Sequence, residues 1–90
     1  MVSIEFDSAK NKANLAKHGI HMASAERFEF DTALAKPDTR RSYGEVRYVA
    51  IGYIEELLHV LVFTRRGPMV RVISLRRANR REERKYRENA

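Results

Sequence analysis

The fold is decided by residues 46–77, which read VRYVAIGYIEELLHVLVFTRRGPMVRVISLRR. Three runs in this stretch are rich in β-branched and aromatic residues, which is typical of strands; they are residues 46–54, 57–66 and 69–77. Two-residue spacers, Glu55-Glu56 and Gly67-Pro68, separate the runs, and this is the spacing of tight hairpins. The stretch therefore predicts a three-strand antiparallel meander.

The N-terminal region predicts one further strand and a helix. Residues 3–6 read as a short strand. Asp7 follows as an N-cap, because its carboxylate can accept backbone N–H bonds at the start of a helix over residues 8–17. Gly19 is placed to end that helix.

Two weaker signals lead from this helix to the meander. Met22, Ala25 and Phe28 recur at helical spacing, which predicts a second short helix with its apolar side packed on the sheet. Residues 33–36 predict a weak strand, and the charges and turn-forming residues of 37–44 predict an exposed loop.

The C-terminal region predicts an arginine-rich helix over residues 80–88. Asn79 and Glu82 have the spacing of a capping box, which satisfies free N–H groups at a helix start. Residues 1–90 are thus predicted to form a single α+β domain. It has a small antiparallel sheet of about four strands, two N-terminal helices and a C-terminal helix.

Positive charge is concentrated at the C-terminal end of the chain. Residues 65–90 hold ten basic and three acidic side chains, whereas residues 1–64 hold eight basic and nine acidic ones. The net charge of +6 therefore comes from one end. Because clustered lysine and arginine bind polyanions by releasing counterions, nucleic acid is the expected ligand.

Composition argues against several other classes of protein. The chain has no cysteine, which removes disulfides and thiol nucleophiles, and its three histidines lack the close spacing of a metal site. A chain of 90 residues is too short for a cofactor domain, so we predict no cofactor. The N-terminus does not read as a signal peptide, and no apolar run is long enough to span a bilayer. We therefore expect a cytoplasmic protein with no membrane partner.

The two hairpins place two arginines and a threonine in one row. If both turns contain two residues, Arg47, Thr64 and Arg71 lie side by side across the three strands. Two guanidinium groups beside a hydroxyl predict a phosphate site, because each planar guanidinium matches a pair of phosphate oxygens.

The same register predicts two different faces of the sheet. One is a continuous apolar surface on which we expect the N-terminal helices to pack; it comprises Val49, Ile51, Val60, Val62, Ile73 and Leu75. The other places His59 beside Arg76, whose charge would lower the pKa of the imidazole and favour a neutral base. The commoner alternative is that His59 is a half-buried cross-strand residue without a catalytic role.

Nearly the whole chain is covered by an ordered set of short motifs. In order, they are Phe6-Asp7, Ala9-Lys10, Asn14-Leu15, Lys17-His18-Gly19-Ile20, DTRRSYGEVR at 38–47, HVLVFTRRG at 59–67, RVISLRRAN at 71–79 and Arg81-Glu82. The ordered set is specific, although no single motif is, and it resembles the BrnT family of toxins.

The resemblance implies a fold, an activity and a partner. The fold would be like that of the RelE ribonucleases, and the activity a metal-independent ribonuclease that arrests translation. The partner would be a BrnA antitoxin, a DNA-binding protein that neutralises the toxin. The complex of the two would repress their shared operon, so that the toxin contacts operator DNA only through the antitoxin. Residues 1–90 would form one BrnT-like toxin domain.

Metal-free RNA cleavage drives the ribose 2′-hydroxyl onto the adjacent phosphorus. It needs a proton acceptor, positive charge near the phosphate oxygens and a donor for the leaving 5′-oxygen. The first candidates for these tasks are Arg47, Thr64 and Arg71; the second are Glu45, Arg65, His59 and Arg76. The base is either Glu45 or His59, and the acid is a lysine, an arginine or a tyrosine.

A second set of residues is predicted to bind RNA. Its members are Arg77, Arg80, Arg81, Arg84, Tyr86, Lys17 and His18. Lys17 and His18 are included on motif similarity alone. Tyr86 is interpreted either as a packing residue with its hydroxyl in water or as an aromatic ring that stacks on a base.

Two other functions also fit the sequence. One is a non-catalytic module that binds nucleic acid through its basic tail. The other is an interaction subunit whose basic surface binds an acidic antitoxin segment.

Overall fold

A five-stranded sheet forms the centre of the molecule in the computed structural model, which describes residues 2–40, 42 and 44–89. The strands are β1 (Ile4–Glu5), β2 (Leu34–Pro37), β3 (Arg47–Ile54), β4 (Leu57–Arg66) and β5 (Met69–Arg77). Their spatial order is β1-β5-β4-β3-β2. The α-helices are α1 (Ser8–His18) and α2 (Arg80–Asn89), and two 3₁₀ helices span Met22–Arg27 and Phe30–Thr32.

The sheet is mixed, so the prediction of a wholly antiparallel sheet with one strand fewer is wrong. Strands β2 to β5 pair antiparallel, but β1 runs parallel to β5, with Ile4 opposite Val70 and Glu5 opposite Arg71. A parallel pair needs a long crossover, and here the chain travels through α1, both 3₁₀ helices and three strands before it returns beside β1.

The predicted meander is confirmed. β4 and β5 have the predicted bounds, and β3 begins one residue later than predicted. Both turns place one residue in the left-handed region, Glu55 at φ 58° and Gly67 at φ 59°.

A β-bulge in β5 changes the second half of the predicted register. Phe63 lies opposite Val72, but the preceding residue Val62 lies opposite Ser74, so Ile73 is an extra residue without a register partner. Each later residue of β5 is displaced by one position. Arg76, and not Leu75, therefore lies opposite Val60, and the predicted continuous apolar face is wrong beyond the bulge.

The N-terminal helices pack on the opposite face from the one predicted. Met22, Ala25 and Phe28 are buried in a core against the face that carries Ala50, Leu61, Phe63, Val72 and Leu75. The bulge explains this choice, because it adds Leu75 to that face and gives Ser74 and Arg76 to the other one. The predicted second helix is a 3₁₀ helix and not an α-helix.

Phe28 lies directly on β3 because residue 52 is a glycine. A Cβ at Gly52 would lie 2.7 Å from the Phe28 ring, which is closer than packed carbon atoms approach.

Helix α1 begins at the predicted residue and ends at His18, one residue later than predicted, with both predicted caps in place. Asp7 accepts a hydrogen bond from the Lys10 N–H at 2.9 Å, and Gly19, at φ 71°, donates to the Leu15 carbonyl at 2.8 Å. Asn14 attaches the helix to the sheet. Its amide donates to the Leu75 carbonyl at 2.8 Å, and its side-chain oxygen accepts from the Leu75 N–H at 3.1 Å.

Helix α2 packs on the face that α1 leaves open. The predicted capping box is present, with Glu82 N–H donating to Asn79 Oδ1 and Asn79 N–H to Glu82 Oε1, each at 2.9 Å. Tyr86 is buried against Ile51, Leu58 and Val60, and its hydroxyl donates to the Thr32 carbonyl at 3.0 Å. The expectation that this hydroxyl lies in water is therefore wrong.

The predicted loop over 37–44 is described only in part, because Arg41 and Tyr43 lie outside the described residues. Pro37 is the last residue of β2, and the side chain of Asp38 is only 3% exposed. This part of the segment is therefore a continuation of the sheet and not a free loop.

Candidate active site

Arg47, Thr64 and Arg71 lie in one row across β3, β4 and β5, with the predicted register. The row is unaffected by the bulge, since the shift begins only between Phe63 and Val62. It lies on the face that carries α2, at the end of the sheet away from the residues that contact Tyr86.

The hydroxyl of Thr64 does not serve as the phosphate donor that the sequence suggested. Thr64 is 2% exposed, and its Oγ1 donates a hydrogen bond to the Val46 carbonyl at 2.7 Å. The hydroxyl proton thus fixes the start of β3, and the positive charge of the row comes from its two arginines.

Two glutamates flank these arginines. Glu5 Oε2 lies 3.3 Å from Arg71 Nη1, and Glu45 lies 3.9 Å from Arg47 Nε and 3.7 Å from Arg66 Nη2. The side chains of Glu5 and Glu45 are 37% and 34% exposed. Because exposed ion pairs of this kind contribute about 0–1 kcal/mol, an incoming phosphate can compete with both carboxylates.

The row continues beyond the residues that sequence reasoning found. Glu5 joins it on one side through the parallel pairing of β1 with β5. Asp38 joins it on the other, where its N–H donates to the Arg47 carbonyl at 2.7 Å and its carboxylate pairs with Arg40 at 2.9 Å. Neither was in the predicted set, and the signal that would have found Glu5 is a parallel β1–β5 pair.

A concave cavity of about 500 Å³ lies beside the row, between the sheet and α2. Its floor begins with Val49, Val62 and Ser74, which form the row next to the arginines. Its rim carries basic side chains from both β2 and α2, among them Lys36 and Lys85. The arginine row and the cavity therefore form one continuous surface.

Arg76 lines this cavity but is held by a carboxylate. Two of its guanidinium nitrogens donate to Glu82 at 2.8 and 2.7 Å. These hydrogen bonds outweigh burial, so they raise the pKa of Arg76 and lower the pKa of Glu82. Arg76 thus attaches the first turn of α2 to β5, which argues against a direct role in chemistry.

His59 and Arg65 lie on the other face of the sheet from the arginine row. Arg65 alternates away from Thr64, and His59 is 7% exposed, with Nδ1 2.8 Å from the Leu57 carbonyl. The pKa of His59 is lowered, as predicted, but the main cause is burial and the neighbouring charge is that of Arg77. The predicted pairing of His59 with Arg76 is wrong because of the bulge.

Comparisons with known proteins connect this geometry with a family. Residues 6–82 match the family model described as the ribonuclease toxin BrnT of type II toxin–antitoxin systems. The chain belongs to the BrnT family. Among solved structures, it is similar to the 1.1 Å crystal structure of the Brucella abortus ribonuclease toxin BrnT. That match has a TM-score of 0.70 and 28% sequence identity, and it covers 89% of this chain and 100% of the Brucella chain. A comparison with curated proteins found no match.

The family match includes the arginine row but not the whole surface around it. Arg47, Thr64 and Arg71 fall within residues 6–82. Glu5 and Lys85 lie outside those residues. Of the α2 residues that line the cavity, Glu82 lies within the family match, whereas Lys85 and Asn89 lie outside it.

The residues predicted to bind RNA are distributed over two sides of the molecule. Arg77, Arg80, Arg81 and Arg84 are exposed at the end of β5 and on α2. Tyr86 is 7% exposed, so its ring has no free face for base stacking, and we remove it from the RNA-binding set. Lys17 and His18 end α1; burial, followed by the charges of Lys17 and Arg76, lowers the pKa of His18.

The described residues contain neither a cluster of metal-ligating side chains nor a helix that could span a membrane. Within residues 2–40, 42 and 44–89, no group of three His, Cys, Asp or Glu side chains is arranged to hold a metal ion. No helix in the same residues has the length and apolar character needed to cross a bilayer.

Proposed function

We propose that this BrnT-family ribonuclease toxin cuts RNA at the arginine row, without a metal ion, and thereby arrests translation. The observation that carries the proposal is the alignment of Arg47, Thr64 and Arg71 across three strands of a sheet face that continues into a cavity. Membership of a family of ribonuclease toxins supplies the class of reaction.

In this mechanism the 2′-oxygen of a ribose attacks the neighbouring phosphorus. A base takes the 2′-hydroxyl proton, the bond between phosphorus and the 5′-oxygen breaks, and the leaving oxygen receives a proton. The products are a 2′,3′-cyclic phosphate and a free 5′-hydroxyl. Arg47 and Arg71 stabilise the charge that develops on the non-bridging oxygens, a task usually worth a factor of about 10²–10³ in rate per donor.

The location of Glu45 favours it over His59 as the base. Glu45 lies beside Arg47, partly exposed, whereas His59 is buried on the opposite face. The Tyr86 hydroxyl is buried and hydrogen-bonded to the Thr32 carbonyl, so it is not available as the acid. The group that protonates the leaving 5′-oxygen is therefore an arginine of the row or a neighbouring lysine. A site this rich in cations supplies from its own side chains the charge that a metal ion would otherwise supply.

Cleavage of RNA by the purified protein in the presence of EDTA tests the proposal. We expect the parent protein to cut RNA. Arg71→Ala and Arg47→Ala should each cut at about one hundredth of the parent rate or lower. Arg27→Ala is the matched control, because Arg27 is exposed and pairs with Glu55 at the far end of the β3–β4 hairpin. Full cleavage by Arg71→Ala would contradict the site. Intact RNA after tight, salt-sensitive binding by the parent would instead favour a non-catalytic binding module.

We further propose that the toxin acts in the cytoplasm and is neutralised by a BrnA-like antitoxin, through which alone it contacts operator DNA. Membership of a type II toxin–antitoxin family supports a protein antitoxin in general. Co-expression with the product of the neighbouring small gene is expected to yield a stable complex and to abolish RNA cleavage. Cleavage at the parent rate by a purified complex would contradict this part of the proposal.

A further inference from the structure

The cavity beside the arginine row combines an aliphatic floor with a basic rim. Val49, Ile51, Val60 and Val62 form the floor on the sheet. Lys36 from β2 and Lys85 from α2 lie on the rim. At about 500 Å³, the cavity is within the usual size range of sites for small organic ligands, roughly 300–1,000 Å³.

The two lysines bring like charges together. Hydrogen bonding to the Lys36 amine, together with its charge, lowers the pKa of Lys85. Within the described part of the chain, no carboxylate forms an ion pair with either lysine; the carboxylates of Asp38 and Glu82, which also line the cavity, pair with Arg40 and Arg76. Two neighbouring ammonium groups that no carboxylate pairs with favour an anion between them.

The position of the cavity specifies which anion fits. Val49 and Val62 are two residues along their strands from Arg47 and Thr64 and point to the same face. Two strand residues span roughly 6.6 Å, which is close to the length of one nucleotide step in an extended strand of RNA. A polynucleotide that binds one phosphate at the arginine row and runs parallel to the strands toward the cavity would place its next nucleotide over the cavity floor.

We propose that this cavity is a nucleotide subsite, in which Lys36 and Lys85 bind the phosphate next to the scissile one and the aliphatic floor contacts its base. The role of the cavity rests on the proposed cleavage of RNA at the arginine row. An aliphatic floor contacts every base by its flat surface, so the subsite raises affinity with little discrimination among sequences. Of the two lysines, Lys36 lies within the family match and Lys85 lies outside it.

Binding of an oligonucleotide whose riboses are 2′-O-methylated tests the subsite without cleavage, because the attacking hydroxyl is blocked. By fluorescence anisotropy, we expect Lys36→Gln and Lys85→Gln each to weaken binding about 3- to 10-fold, and each to reduce the slope of log K against log salt by about 0.7. Lys12→Gln, an exposed position on α1 at the other side of the sheet, is the matched control and should change binding less than about twofold.

Parent-like binding by the Lys36→Gln, Lys85→Gln double variant would overturn the subsite, as would an equal loss in Lys12→Gln. A double variant that keeps its RNA affinity but no longer binds the antitoxin would also overturn it, and would assign the cavity to the protein partner. Failure of the subsite can be distinguished from failure of the catalytic proposal. Full cleavage by Arg71→Ala would contradict the arginine row as the catalytic site. Weaker oligonucleotide binding by the lysine variants would still support RNA binding in the cavity.

Discussion

Asn14 is a single polar side chain that holds α1 on the sheet. It is buried and makes three hydrogen bonds with backbone groups: to the Leu75 carbonyl, from the Leu75 N–H, and to the Ile20 carbonyl at 2.9 Å. Asn14→Ala leaves these groups buried without partners, at a cost of about 1–3 kcal/mol for each one that water cannot reach. We expect the free energy of unfolding in urea to fall by about 2–4 kcal/mol.

Asn89→Ala is the control for this experiment, because Asn89 is exposed and bonds only to the Lys85 carbonyl within its own helix. It should change the free energy of unfolding by less than about 0.5 kcal/mol. Equal effects of the two substitutions would show that Asn14 has no special role.

His59 gives the protein a pH-dependent stability with a defined sign. Burial, and secondarily the charge of Arg77, lowers the pKa of His59 below 6.5, while the Leu57 carbonyl opposes the shift. As the pH falls through about 6.5, the His59 imidazole binds a proton more readily in the unfolded chain than in the folded one. Acidification therefore favours unfolding. Between about pH 7.5 and pH 5.5 we expect the free energy of unfolding to fall in the parent and to fall less in His59→Gln.

Ala13→Gln is the control for the pH series, since Ala13 is exposed on α1 and the substitution neither adds nor removes a titratable group, so it should leave the parent slope unchanged. His18 contributes with the same sign, because its pKa is also lowered. A parent slope that is retained in His59→Gln would contradict the assignment.

At the scale of single residues, the sequence predicts the contacts that form between residues close together along the chain. Asp7, Gly19 and the Asn79–Glu82 pair have the predicted capping roles, because each bonds within four residues along the chain. Glu5 was missed because its contact with Arg71 spans 66 residues. The row of Arg47, Thr64 and Arg71 was found because hairpin turns transmit register from strand to strand.

At the scale of elements, α2 depends on one aromatic anchor. Tyr86 is the buried residue of this helix, and its ring meets the ring of Tyr53 edge-on with centroids 5.5 Å apart. Since a helix of ten residues is only marginally stable alone, Tyr86→Ala should release α2 from the sheet. We expect faster hydrogen exchange of the α2 amides and a loss of about 3–5 kcal/mol in the free energy of unfolding.

Tyr86→Phe separates the ring from the hydroxyl in this experiment. It removes only the hydrogen bond to Thr32, so it should cost about 1 kcal/mol and leave the helix protected. Unchanged exchange of the α2 amides in Tyr86→Ala would mean that the ion pair of Arg76 with Glu82 is sufficient to hold the helix.

The elements themselves were easier to predict than their packing. Strands β4 and β5 have the predicted bounds because β-branched residues and turn signals are local. The bulge at Ile73 leaves no mark in composition, yet it moves Leu75 to the other face and so decides where α1 packs. A one-residue irregularity thus reversed the predicted assignment of helices to faces.

At the scale of the whole molecule, the two faces of the mixed sheet carry the larger core and the proposed site, respectively. One face is covered by α1 and the 3₁₀ helix Met22–Arg27, and holds the larger core. The other holds α2, the cavity and the arginine row. The basic C-terminal region supplies α2 and β5, so the charge bias in the sequence belongs to two of the elements that border the proposed site.

The central claim is that RNA is cut at a localised arginine row and not bound by diffuse positive charge. Inducible expression in bacteria tests it most directly, with protein levels matched by immunoblot. We expect the parent protein and Arg27→Ala to arrest growth. Arg71→Ala, which loses one positive charge just as Arg27→Ala does, should allow normal growth. Growth arrest by Arg71→Ala at the parent protein level would contradict the account.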